Sequence, residues 1–120
     1  MANSVVDLLK KGDLIWVTLP KQEGSVQSGS RPCICMGNAQ GLKNSNVVTV
    51  IPLSSKLKAT YLPVHVLLPK NPLPMPSIAM AEQITTVPKD SVKGFIGTLG
   101  HELLGKVEKA VLIQLGISAN

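Results

Sequence analysis

DLIWVTLPKQEGSVQSGSRPCICM (residues 13–36) is the stretch from which the fold can be read. Leu14 to Leu19 is a strand-forming run that follows Gly12-Asp13 and stops at Pro20, and Arg31-Pro32 opens a second run, Cys33 to Met36. Between them, residues 21–30 are polar and rich in Gly and Ser, which makes a loop. It is longer than most connections in compact domains, and long ordered loops are often functional. Two strands around such a loop set a β-rich fold from the first third of the chain.

Downstream, residues 37–46 read as a turn and Val47 to Leu53 as the most apolar strand, central to the sheet. Tyr61 to Leu68 is a fourth strand interrupted by Pro63, which assigns that end to an edge or bulge. Pro69, Pro72, Pro74 and Pro76 make residues 69–76 an extended, non-helical connection. Ile78 to Val87 reads as one strand, Pro88-Lys89-Asp90 as a turn, and Val92 to Leu99 as a last short strand. Leu103, Leu104, Val107, Val111 and Leu115 recur at helical spacing from His101 onward, with Gly116 at the stop position. Upstream, residues 4–10 make at most one helical turn. Five or six strands with one closing helix predict a mainly β fold, a small and partly open β-barrel packed by a C-terminal helix.

The 120 residues suit a single domain, and the 44% apolar share supports a core. Residues 1–10 are read as an N-terminal extension and 11–120 as the domain. Aromatics are limited to Trp16, Tyr61 and Phe95, so the core is aliphatic. Trp16 is assigned to that core, and so few aromatics leave little surface for stacking beyond Tyr61 and Phe95. A formal charge of +5 favours polyanionic partners, although the lysines are scattered as solubility charges also are. No run is long enough to span a bilayer and the N-terminus lacks the order of a signal peptide, so a cytoplasmic protein is the simplest reading. Cys33 and Cys35 sit at a strand spacing that does not favour a disulfide and is too sparse for zinc; they are read as reduced packing residues.

Among twelve Lys and Arg there are eleven lysines and one arginine, Arg31. Its planar fork of donors suits a carboxylate or a phosphate in a way an ammonium does not. Phosphate-binding glycine loops and nucleophile elbows are absent. His101 reads as an exposed helix-start residue and His65 as a structural histidine, with no carboxylate cluster beside either. The remaining polar set lies at strand ends: Arg31, Ser54, Ser55, Glu82 and Gln83. Arginine with hydroxyl and amide groups, and no metal site, suits an oxyanion whose charge grows in a transition state. A turn cap is the plain alternative for the serines.

In this order the pieces resemble the MazF/PemK-type toxins. Lys11-Gly12-Asp13-Leu14-Ile15-Trp16 is similar to their opening strand, and Gly24 to Pro32 resembles their G-S-E-Q-G-G-x-R-P loop. Pro52-Leu53-Ser54-Ser55, Leu62-Pro63-Val64-His65-Val66 and Glu82-Gln83-Ile84 match later blocks, and Lys106 to Ala110 with Leu115-Gly116 fits the terminal helix. The resemblance implies an SH3-like, partly open barrel and a homodimer. It also implies metal-independent, sequence-selective cleavage of single-stranded RNA by 2′-OH attack, leaving 2′,3′-cyclic phosphate and 5′-hydroxyl ends, with no cofactor. It puts the catalytic pair at Arg31 and Ser54. RNA contacts are expected from Gln27, Ser28, Ser30, Ser55, Lys56 and Gln83, with His65 and Glu82 as auxiliaries. A cognate antitoxin is the implied protein partner, and DNA is met only through it. A gyrase-binding inhibitor on the same barrel and a catalytically weakened RNA-binding barrel are the alternatives. Three positions depart from the pattern: Val26 replaces a Glu, Ser54 a Thr, and Thr85 an Arg.

Overall fold

The computed structural model describes residues 8–20, 24, 29–57 and 62–118. Among these residues, seven strands and two α-helices follow one another as β1 (Asp13–Leu19), β2 (Gly29–Met36), α1 (Ala39–Asn44), β3 (Val47–Ser54), β4 (His65–Leu68), β5 (Ser77–Met80), β6 (Thr85–Pro88), β7 (Val92–Thr98) and α2 (His101–Gln114). Single 3-10 turns at Ala81–Gln83 and Lys89–Ser91 join β5 to β6 and β6 to β7. All strand pairs are antiparallel, in the order β4-β5-β3-β2-β1-β7 with β6 also on β3. No ladder joins β6 to β7 among the described residues, so the sheet curls without closing, as the sequence reading of a partly open barrel expects.

The central strands are buried on both faces, which their near-continuous apolar runs require. Successive side chains of a strand alternate sides. Ile15, Val17, Cys33, Cys35, Val48 and Val50 pack together on one side with Leu42, Val87 and Val92. Leu14, Ile34, Met36, Ile51 and Leu53 pack on the other with Leu68, Leu73, Leu99 and Val107. Helix α2 covers this second side through buried Val107 and Ala110 and half-buried Leu103, Leu104 and Val111. It ends where Gly116 adopts φ +70°. There Ile117 N–H donates to Leu112 O at 2.9 Å and Gly116 N–H to Ile113 O at 3.1 Å, the paired bonds of a Schellman stop.

Residues 69–76 form a strap between β4 and β5, held by buried Leu73 and by Pro72 against Gly97 of β7. A Cβ built on Gly97 would lie 2.5 Å from Pro72 Cγ, so glycine is what lets the strap approach. Asp13, only 2% exposed, anchors the start of β1. Its carboxylate accepts Lys10 N–H at 2.8 Å and Thr98 Oγ1–H at 3.0 Å, tying β1 to the end of β7.

Three sequence expectations are corrected. Residues 37–46 contain helix α1, capped by the Asn38 side chain, which accepts Gly41 N–H at 2.7 Å. That helix has one buried residue, Leu42, and the Lys89 ammonium donates to the Leu42 carbonyl. Its stability therefore comes from tertiary anchoring rather than periodicity. The single strand expected over Ile78 to Val87 is two strands, because β5 pairs with Leu53 and Ser54 while β6 pairs with Val47 to Val50. The handover occurs around Ile51 and Pro52, and a proline has no N–H to offer a ladder. The fourth strand is shorter than expected and starts at His65; Tyr61 lies outside the described residues, as does the helical turn expected over residues 4–10 apart from Leu8, Leu9 and Lys10.

Candidate active site

Arg31 is the third residue of β2 and pairs with Val17 of β1. On the other edge of β2 the ladder matches Cys33 with Pro52, and the same register carried two residues further sets Arg31 across from Ser54. The two residues expected to form the catalytic pair thus lie across from one another on adjacent strands. Arg31 Nη1 donates to the Leu53 carbonyl at 3.2 Å, which spends one of the five donors of a guanidinium and fixes its reach along β3. The Ser54 hydroxyl accepts Lys56 N–H at 3.2 Å, so the turn-cap role of serine is realised at this position.

A pocket of about 250 Å³ opens at these strand ends. Arg31 lines it together with Trp16, Ser30, Leu53, Ser55 and Met75. Pro32, Pro74 and Ser77 complete the wall. Ser30 and Ser55 therefore share the pocket with Arg31, and Lys56 is exposed on the following residue. Gln27 and Ser28 lie outside the described residues. Trp16 is a correction to the sequence reading. Leu14, two residues earlier on the same face of β1, is 0% exposed, whereas Trp16 is 37% exposed beside the arginine. On this face of β1 the packed layer stops at Leu14, although Val17 and Leu19 on the other face stay buried, and the indole rests instead on Gly94 of β7, its partner in the ladder. Met75 and Pro74 were not legible as site residues, since only the packing of the strap brings them here. Phe95 is exposed and does not line this pocket.

Glu82, Gln83 and His65 form a separate cluster at the 3-10 turn between β5 and β6. The fold brings together the two residues expected as auxiliaries: His65 Nε2 lies 2.7 Å from Glu82 Oε2. His65 Nδ1 accepts Leu62 N–H at 3.3 Å, so the proton belongs on Nε2, which donates to the carboxylate. The His65 side chain is 4% exposed. Its pairing brings a strand residue and a turn residue together across an intervening loop, which spacing along the chain does not reveal. Gln83 Nε2 reaches Met80 Sδ at 3.9 Å. Thr85, where the resembled pattern carries an arginine, is partly buried in β6 opposite Val50.

Burial pushes the thiols of Cys33 and Cys35 up to about 12, and the Arg31 charge acts in the opposite direction on Cys33. Both are unpaired and protonated at neutral pH, as packing residues should be. Among the described residues no three His, Cys, Asp or Glu side chains come together as metal ligands. A larger cavity, about 640 Å³, lies between Leu8–Lys11 and α1 and includes none of the expected site residues. No helix among the described residues is long and apolar enough to cross a membrane.

Comparison with known proteins bears on the family and the fold. The family model for PemK-like, MazF-like toxins of type II toxin–antitoxin systems matches residues 10–115. The endoribonuclease MazF of Staphylococcus saprophyticus is 30% identical over 112 residues, spanning 92% of this chain and 93% of that protein. The crystal structure of MazF from Deinococcus radiodurans superposes with a TM-score of 0.78 at 22% identity, covering 91% of this chain and 97% of that one. An endoribonuclease from mycobacterial species solved with its cognate antitoxin gives 0.72 at 19% identity, over 92% and 97%. The chain belongs to the PemK-like, MazF-like toxin family of type II toxin–antitoxin systems.

Proposed function

We propose that this endoribonuclease toxin cleaves single-stranded RNA by attack of a ribose 2′-oxygen on the adjacent phosphorus, with Arg31 stabilising the charge that develops on the phosphoryl oxygens. The new P–O2′ bond forms as the P–O5′ bond breaks. The 2′-hydroxyl gives up its proton and the departing 5′-oxygen takes one, leaving a 2′,3′-cyclic phosphate and a 5′-hydroxyl. The observation that carries this reading is the setting of the chain's one arginine. It is tethered to Leu53 O at 3.2 Å in a pocket it shares with Ser30 and Ser55, and in register with Ser54. A preorganised guanidinium at the point of growing charge lowers the barrier without needing a protein nucleophile, because the RNA supplies its own.

Ser54 hydrogen-bonds the phosphate or passes a proton. Gln27, Ser28, Ser30, Ser55, Lys56 and Gln83 hold the RNA strand on either side. His65 and Glu82 act on the site indirectly, fixing the turn that carries Gln83 through their 2.7 Å contact. The reading extends to a cytoplasmic homodimer held in check by an antitoxin. Solved relatives include a complex named MazE–MazF from Deinococcus radiodurans. The exposed apolar residues Phe95, Ile113, Leu115 and Ile117 supply surface for such contacts.

The test is incubation with a long single-stranded RNA in EDTA. Discrete cuts ending in cyclic phosphate are expected. They should fall roughly 100- to 1,000-fold in Arg31→Ala at unchanged fold, and nearly as far in Arg31→Lys. A 2′-deoxy substitution at the cut nucleotide should block cleavage there. Intact RNA, a requirement for added metal, or cutting at the deoxy site would each refute part of this reading.

A further inference from the structure

We infer that Trp16 and Met75 are the jaws of a subsite that takes one unstacked nucleobase beside Arg31. This deepens the reading of the pocket as an RNA site and rests on it.

Three observations lead there. First, Trp16 is the chain's one tryptophan, and the structure leaves it 37% exposed at the pocket rather than in the core. An indole open to solvent in the same pocket as a guanidinium offers a ligand a flat apolar face and a cation together. Second, Met75 stands on the strap, 54% exposed, in the same pocket. Its neighbours Leu73 and Pro72 are buried and packed respectively, so the position of Met75 is set while its side chain stays adaptable. Third, the size and chemistry of the pocket are selective. At about 250 Å³ it is smaller than the usual drug-sized site, which suits one base rather than two. Its apolar residues are Trp16, Pro32, Leu53, Pro74 and Met75, while Arg31, Ser30, Ser55 and Ser77 supply donors and acceptors.

A nucleotide presents both kinds of surface, a flat π-face next to a phosphate. The guanidinium takes the phosphate and the indole takes the face of the attached base. Stacking of this kind tolerates any base, because each has a π-face. The subsite therefore positions the RNA at the reacting phosphate without selecting sequence. In a chain with so few aromatics, Trp16 supplies the stacking surface at this site.

Because Trp16 is the sole tryptophan, its emission reports this pocket directly. Wild-type protein would be titrated with fully 2′-O-methylated ten-nucleotide homopolymers of A and of U, and with an abasic chain of the same length, following both tryptophan emission and the anisotropy of a labelled strand. Both homopolymers should quench Trp16, and the abasic chain should neither quench nor bind as well. Trp16→Ala should weaken homopolymer binding roughly five- to hundredfold. Met75→Ala should weaken it about two- to tenfold. Trp16→Phe, which keeps a π-face in a smaller ring, should stay near wild type and guards against misfolding of the alanine variant. Equal binding of the abasic chain, no quenching by either homopolymer, or wild-type affinity in folded Trp16→Ala overturns the subsite. So does quenching by an acidic peptide where the oligonucleotides give none. Cleavage of unmodified RNA is scored separately. Cutting without quenching removes the subsite and leaves the nuclease reading standing. Quenching without cutting does the reverse.

Discussion

Replacing Gly97 with alanine tests whether the strap that walls the Arg31 pocket is seated as described. The new Cβ would lie 2.5 Å from Pro72 Cγ and 2.9 Å from Pro72 Cβ. Non-bonded carbons sit at about 3.5–4.0 Å, so strap and strand must separate by roughly an ångström. A pyrrolidine ring cannot swing aside as a long side chain does, and the adjacent Leu73 is locked in the core. Overpacking of this kind costs about 1–3 kcal/mol. For a domain of this size that lowers Tm by about 4 °C per kcal/mol, readable by circular dichroism. A double-mutant cycle isolates the cause. In a Pro72→Gly background the obstructing carbons are gone, and Gly97→Ala should then cost less than about 0.5 kcal/mol. Pro74 and Met75 lie on the same strap and line the pocket, so Gly97→Ala alone should also shift Trp16 emission. A Tm within 1 °C of wild type, or an equal cost in both backgrounds, would refute the packing argument.

Other perturbations separate structural from site residues. Asp13→Ala strips the acceptor from Lys10 N–H and Thr98 Oγ1–H at a buried position, and should cost about 2–3 kcal/mol by urea denaturation, with Thr98→Val costing less. Cys33 and Cys35 should not react with a thiol reagent at pH 8 until the protein is unfolded, when both do so. Their ordinary value of 9.0 is raised to about 12 in the fold, so the unfolded chain releases these protons first and stability should fall as pH rises from 9 towards 12. The slope approaches about 1.4 kcal/mol per pH unit for each thiol, and the Cys33→Ala, Cys35→Ala double variant should lose that part of the pH dependence. Glu82→Gln should leave RNA cleavage within about tenfold of wild type while lowering stability by roughly 1–3 kcal/mol, because the carboxylate holds buried His65; loss of cleavage at unchanged stability would place Glu82 in the chemistry instead.

The elements legible in the sequence are those whose pattern and punctuation agree. β1 starts after Gly12 and stops at Pro20, and α2 carries a helical apolar repeat and a glycine stop, so both were readable to within a residue or so. What escaped were features decided by a distant partner. The break between β5 and β6 follows from two strands sharing one edge of β3, and the local run from Ile78 to Val87 contains no sign of it. Helix α1 depends on Leu42 reaching the core and Lys89 reaching its carbonyl. Hydrophobicity placed Trp16 inside, but burial depends on how far along β1 the packed layers extend, which is a property of the assembled sheet. The site divides in the same way. Arg31 stood out by composition and Ser54 by resemblance, whereas the Trp16–Met75 wall and the His65–Glu82 contact exist only once the strap and the 3-10 turn are folded against the strands.

Thr85 carries the last consequence. The resembled family pattern has an arginine there, and this chain has no second guanidinium to put in its place. Lysine cannot substitute by charge alone, since an ammonium lacks the planar fork that engages two phosphoryl oxygens at once. The remaining cation next to the serine turn, Lys56, is exposed and follows Ser55 outside the strand, where screening weakens its hold on a phosphate. In the proposed mechanism charge stabilisation therefore concentrates on Arg31, while a base held against Trp16 would contribute affinity that salt does not screen. Raising ionic strength should accordingly weaken RNA binding through the lysines far more than it slows the chemical step once RNA is bound. If single-turnover cleavage at saturating RNA falls with salt as steeply as binding does, the lysines and not the tethered guanidinium carry the transition-state charge.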